Sequence, residues 1–160
     1  MGKCLLFTLL TLLFLAGSIG WSQKEVELEK WKAELLKLHQ MDRQAHFKTD
    51  PDLLLSHHPE EFIAVSQGKV SRRQKADTRN TFETYFKDAT YYEWDDLEPP
   101  IVRVSNDGSM GWIITRLKVR RTQKDLTGVE REQKFVYAGI MTYEKRNKKW
   151  IKVANVSTFE

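Results

Sequence analysis

From residue 88 onward the chain becomes strand material. Four long runs rich in β-branched and aromatic residues, Thr90–Ser105, Ser109–Thr122, Val129–Glu144 and Lys149–Thr158, are separated by three short polar breaks. The breaks are Asn106-Asp107-Gly108, Asp125-Leu126-Thr127-Gly128 and Arg146-Asn147-Lys148. None is long enough for a crossover helix, so successive runs pair antiparallel, as a meander. Pro99-Pro100 removes ladder donors from the first run and bends it or confines it to an edge. A sheet built this way has one apolar face that a second layer must cover.

The residues before 88 supply that layer. Over Lys24–Lys48, Leu28, Trp31, Leu35, Leu38 and Ala45 recur at helical spacing and form one stripe. Asp50 is a good cap, and Pro51 a good first-turn residue, for a short second helix carrying Leu53, Leu54 and Leu55. Phe62-Ile63-Ala64-Val65 reads as a short strand, Gln67-Gly68 as a turn, and Val70 as the start of a second strand. Ser71-Arg72-Arg73-Gln74 has the form of a capping box. It is expected to open a third helix to about Lys87, with Ala76, Phe82 and Phe86 on the buried side. The expected fold class is α+β, with three N-terminal helices packed on a strongly curved antiparallel sheet. No repeat, low-complexity tract or linker divides residues 23–160, which read as a single domain.

Residues 1–22 have a different character. Lys3 is followed by the almost wholly apolar Cys4–Ala16, then by the small residues Gly17, Ser18, Gly20 and Ser22. This is the three-part pattern of a secretory signal peptide, removed after Ser22. Its apolar stretch falls short of the ~20 residues a membrane span needs. The expected location is secreted or periplasmic, with no stable membrane insertion after removal. Cys4 is the only cysteine and precedes the apolar stretch, which argues against a lipid anchor, an intramolecular disulfide or a cysteine zinc site. The formal charge of +4 is a mild excess. Lys118, Arg120, Arg121 and Lys124 near one strand end, and the turn Lys145–Lys149, read as solvated ends, so no nucleic-acid partner is expected.

The element order and the local texture together resemble a known family. The residues are Asp50-Pro51-Asp52-Leu53-Leu54; Glu61-Phe62-Ile63-Ala64-Val65 with Gly68-Lys69-Val70; Asn106-Asp107-Gly108-Ser109; and Tyr143-Glu144-Lys145 before Lys149-Trp150-Ile151-Lys152. They resemble the SnoaL-like (DUF4440-type) group of the nuclear transport factor 2-like superfamily, over residues 24–159. The resemblance implies a cone whose bent sheet wraps the helices and leaves a pocket at the open end. It also implies a frequent dimer through the outer sheet face. Members include isomerases, dehydratases, cyclases and pure binding modules, so the fold leaves the activity open.

Asp42 is the anomaly that points to a site. It falls inside the apolar stripe of the first helix, is flanked by His39 and His46, and stands four residues from His46. A carboxylate facing an apolar cavity is expected to have its pKa raised, and a protonated imidazole beside it opposes the rise. Such a pair suits general acid–base work, so Asp42 and His46 are the candidate catalytic residues. Arg79 projects among Ala76, Phe82 and Phe86 and is a candidate counter-ion for Asp42 or for an anionic ligand. Alternation places Phe135, Tyr137, Gly139, Met141 and Tyr143 on one face, and Tyr92 with Trp94 on another strand. On the last strand it places Ile151, Val153, Asn155 and Ser157 together, with Lys152 on the opposite, outer face. The candidate ligand pocket is therefore Asp42, His46, Arg79, Trp94, Tyr137 and Asn155.

Trp112 and Ile114 share a face with Arg116 and Lys118; the family pattern turns that face outward and makes it a candidate homodimer surface. His57-His58 are adjacent and lack an obvious third ligand, so no metal or other cofactor is expected. No phosphate-cradling glycine loop, nucleophile elbow or metalloprotease helix occurs. The reading is an exported protein that binds a small-molecule ligand in a partly apolar pocket. The alternatives are an isomerase-, dehydratase- or hydrolase-type enzyme using Asp42 and His46, and a non-enzymatic dimeric interaction domain.

Overall fold

The computed structural model describes residues 22–160, so the export pattern lies outside the described residues except for Ser22. Helix α1 (Gln23–Lys48) starts on a capping box. The Glu25 amide donates to Ser22 Oγ at 3.2 Å, and the Ser22 amide donates to Glu25 Oε2 at 2.8 Å. Removal of residues 1–22 would take this cap with it. The helix ends at Thr49, whose left-handed backbone (φ 49°) returns its amide to the Ala45 and His46 carbonyls. Asp50 then caps α2 (Pro51–Leu55) by accepting from the Leu53 amide at 2.9 Å.

Strands β1 (Glu61–Ser66) and β2 (Lys69–Gln74) form a hairpin that pairs from Glu61 opposite Gln74 to Ser66 opposite Lys69. Ser71–Gln74 is thus strand, and the expected capping box does not form. A hairpin ladder satisfies more backbone groups than one cap does. Helix α3 (Lys75–Phe86) begins after it, from Gln74 without a side-chain cap. Its inward residues are Thr78, Phe82, Tyr85 and Phe86, whereas Ala76 is exposed.

The first long run is split by its prolines into β3 (Ala89–Asp96) and β4 (Ile101–Val104). Both lie one after the other along β5 (Met110–Lys124). Strands β6 (Glu130–Arg146) and β7 (Lys149–Phe159) complete the meander. The sheet order is β2-β1-β7-β6-β5-β3, with β4 also on β5. β1 runs parallel to β7, so the sheet is mixed rather than wholly antiparallel. Helix α3 touches β1 and β2 at one end of this order and β3 at the other. The sheet therefore curls around the helices as a cone.

Two bulges decide which side chains enter the cone. In β3 the pairing slips between Tyr91 and Glu93, leaving Tyr92 as the extra residue. Tyr91 and Trp94 are buried and Tyr92 is exposed, so Tyr92 and Trp94 do not share a face. In β7, Ala154 opposes Thr142 but Lys152 opposes Tyr143, leaving Val153 as the extra residue. Trp150 and Lys152 therefore point inward before the bulge, and Asn155 and Ser157 after it. The outward placement of Lys152 from simple alternation is corrected by that one inserted residue.

Inside the cone the apolar residues form two clusters. One holds Leu35, Ile113, Met141, Tyr143 and Trp150; the other holds Ala45, Leu54, Phe86, Tyr91, Trp94 and Leu117. Between Leu35 and Ala45 on the same helix stands Asp42. At the β4–β5 turn, Gly108 has φ +69°, and the Trp31 ring occupies the space a Cβ would need. Gly108→Ala combines a left-handed alanine with overpacking and is expected to lower stability by roughly 2–4 kcal/mol. Urea unfolding with an unchanged slope checks this.

Candidate functional site

The cone encloses a cavity of about 440 Å³. α1 brings Asp42 and His46 to its wall, and the segment after α2 brings His58. β5 contributes Thr115, Leu117 and Arg121; β6 contributes Phe135, Tyr137 and Met141; β7 contributes Lys152 and Asn155. Trp94 also lies on the wall, and Leu54, Phe62, Phe82 and Phe159 make much of the remainder apolar. Arg79 does not reach it. Its guanidinium stays at the surface, paired with Asp52 and Glu83. Those two carboxylates hold it outside.

Asp42 is buried, and one of its two carboxylate oxygens is bonded. Its Oδ2 accepts from Lys152 Nζ at 2.6 Å, and Lys152 is itself buried. His57 Nε2 stands 3.2 Å from Oδ1, too oblique for a hydrogen bond. Burial pushes the Asp42 carboxyl upward, but the Lys152 ammonium and His57 outweigh it. The group is held well below the usual carboxylate range, which corrects the expected rise. The missing element was Lys152.

His46 does not pair with the Asp42 carboxylate. Its Nδ1–H donates to the Asp42 main-chain carbonyl at 2.7 Å, which fixes the tautomer and leaves Nε2 with a lone pair. The ring stacks on Trp94, centroids 3.6 Å apart and 16° from parallel. Burial lowers its pKa to about 4, so the imidazole is neutral at ordinary pH. Tyr137 accepts from Asn155 Nδ2 at 3.2 Å and donates toward Met141 Sδ at 3.7 Å. Burial pushes its phenol to about 12, so it stays an O–H donor. Its hydroxyl fills the space beside Gly139, where no Cβ fits.

Several site residues were not singled out by spacing. Arg121 is buried, with Nε on Gln133 Oε1 at 2.7 Å and Nη1 on the Tyr91 hydroxyl at 2.7 Å. It lies over the Tyr85 ring at 4.1 Å, not at a solvated strand end. It shares parity with the inward Ile113, Thr115, Leu117 and Val119, a signal already present in the sequence. Lys152 shares parity with Trp150, which signals the same. His58 is buried and on the wall, yet neither ring nitrogen has a hydrogen-bond partner among the described residues; the Thr115 hydroxyl is in the same condition. Among the described residues no group of three or more His, Cys, Asp or Glu side chains is placed to hold a metal ion, and no helix is long and apolar enough to cross a membrane.

Comparison with known proteins bears on the fold. No protein-family model matches the chain, and no curated protein matches it. Solved structures do. A ketosteroid isomerase-like protein from Erwinia carotovora atroseptica aligns at TM-score 0.62 and 11% identity, over 80% of this chain and 95% of that one. An NTF2-like protein with a cystatin-like fold from Novosphingobium aromaticivorans aligns at 0.60 and 16%, over 82% and 83%. An NTF2-like protein from Cytophaga hutchinsonii aligns at 0.61 and 9%, over 86% and 98%. The chain has an NTF2-like fold. At these identities the likeness concerns architecture, and the chemistry of this NTF2-like cone has to be argued from its own residues.

Two of the wall histidines, His46 and His58, make a pH prediction. Unfolded imidazoles take protons near pH 6.5, whereas burial holds folded His46 near 4 and His58 near 2. Between those values the unfolded state binds more protons, so stability is complete above pH 6.5 and falls as pH falls. The His46 share is on the order of 3 kcal/mol by pH 4. Urea midpoints from pH 7 to pH 4 are expected to show this slope, and His46→Gln to reduce it by about half, leaving the His58 share. The lowered Asp42 acts in a separate window, below the ordinary carboxylate pKa.

Proposed function

We propose that this chain binds a small, partly apolar molecule in the hollow of its NTF2-like cone, as an exported SnoaL-like protein. The carrying observation is the cavity itself. It is about 440 Å³, walled largely by aromatic and aliphatic side chains, and fitted with buried polar groups that no described residue partners, at His58 and Thr115. A buried polar atom without a partner is destabilising until a ligand or a water satisfies it. The site is thus more completely satisfied when occupied. The three-part pattern of residues 1–22 supports export.

A second reading is favoured by one observation. His46 is a neutral imidazole on the wall with Nδ1–H committed, so Nε2 is free to accept a proton. In an isomerase-, dehydratase- or hydrolase-type enzyme, His46 and not Asp42 would be the base. The Asp42 carboxylate is too weak a base while Lys152 holds it.

We further propose that two copies join through the outer sheet face. The register aligns Ile101, Ile114, Ile140, Val156, Val65 and Val70 in one apolar row across six strands. Ile101, Ile114, Val70 and Val156 are exposed, and Arg103 and Arg116 stand beside the row. An apolar centre with a charged rim suits a self-complementary interface.

Native mass spectrometry of protein purified from its host is expected to show a retained small molecule and a chain lacking its leader. Thr115→Phe, which fills the cavity floor, is expected to lose the molecule while the fold remains stable. A chain recovered empty, with no small molecule stabilising it in a thermal screen, would remove the binding reading. Ile140→Asp is expected to convert the dimer to monomer in sedimentation velocity and to leave the cavity ligand in place. A wild-type monomer at high concentration would remove the dimer.

A further inference from the structure

The charges on the cavity wall do not cancel. Asp42 is matched by Lys152 at 2.6 Å. Arg121 is only 6% exposed, and its partners among the described residues are all neutral: Gln133 Oε1, the Tyr85 carbonyl and the Tyr91 hydroxyl. Two aromatic rings, Tyr85 and Tyr91, face its guanidinium at 4.1 and 5.5 Å. No hydrogen bond from Nη2 is found among the described residues. The neighbouring basic side chains find acids instead: Lys118 and Arg120 both bond Glu93 on the outer face. Arg121 alone of this basic cluster is turned inward onto the cavity wall.

An arginine keeps its charge under all ordinary conditions, so Arg121 cannot relieve its burial by losing a proton. Neutral acceptors and ring faces orient it but supply no counter-charge. The same wall carries the apolar Phe82, Leu117 and Phe135, and Phe135 lies opposite Val119, two residues from Arg121. We propose that the cavity ligand is an amphiphilic organic anion, whose carboxylate meets Arg121 Nη2 and whose apolar body lies against Phe82, Leu117 and Phe135. This rests on the binding reading above and names its substrate class. The fit is end-on at Nη2, because the Nε edge of the guanidinium is taken by Gln133 and Nη1 by Tyr91 and Tyr85. A charge-assisted bond in a desolvated wall favours the anion over a neutral isostere of the same shape.

The test uses a matched pair of probes on the purified chain, read by titration calorimetry at constant ionic strength. 4-Phenylbutyrate is expected to bind about tenfold or more tightly than 4-phenylbutan-1-ol. Inorganic phosphate, which has charge but no apolar body, is expected to bind more weakly than 4-phenylbutyrate. Arg121→Gln is expected to bring the acid down to the level of the alcohol while alcohol binding persists, and Arg121→Lys to keep a preference for the acid. Equal binding of acid and alcohol to the wild-type chain overturns the anion assignment and leaves the cavity reading standing. Binding of neither probe, with no molecule retained in native mass spectrometry, overturns both. The wild-type comparison needs no variant, so a failure of Arg121→Gln to fold does not protect the proposal.

Discussion

The bond between Asp42 and Lys152 holds the interior in its present form. It joins the middle of α1 to the last strand across 110 residues of sequence, with both groups buried. Neither could stand there alone, because an uncompensated buried charge destabilises a fold by roughly 3–5 kcal/mol. The pair depends in turn on the bulge at Val153. Without that extra residue, alternation would carry either Lys152 or Asn155 to the outer face. The bulge therefore lets one strand deliver the ion-pair partner and the Tyr137-bound Asn155 to the same hollow.

One helical stripe handles three ionisable groups in three ways. Lys152 keeps Asp42 charged. Burial among Trp94, Phe86 and Tyr91 keeps His46 neutral, and its one donated proton goes to a main-chain carbonyl. His39 reaches Asp96 at 3.0 Å, tying α1 to the end of β3. The stripe is thus only partly apolar and still belongs to the core, because each polar member has its own local solution.

The elements were legible in the sequence because their periods differ. A 3.6-residue stripe over α1 and period-two runs after residue 88 admit few architectures. Asp42, His46, Trp94, Tyr137 and Asn155 all stand on the cavity wall. What spacing missed has two physical origins. An inserted residue resets alternation, and nothing in Tyr91-Tyr92 or Lys152-Val153 marks which residue is extra. Charge is also a poor sign of exposure here, because Arg121 continues the parity of Leu117 and Val119, and Lys152 that of Trp150. Ser71–Gln74 misled for a third reason: a local cap competes with a hairpin partner supplied by residues 61–66, and the longer ladder prevails.

The charge inventory of the hollow weighs on binding against chemistry. A general base needs a lone pair that becomes more basic than its surroundings as the reaction proceeds. The Asp42 carboxylate is kept a weak base by the ammonium on its Oδ2, and the Tyr137 phenol keeps its proton. His46 remains, but burial that drives its pKa to about 4 also makes the imidazolium it would have to become unfavourable. An anion at Arg121 would change that balance, because negative charge in the hollow favours a protonated imidazole nearby. The groups that make this interior a good container for an anion therefore restrain it as a catalyst until that anion is present.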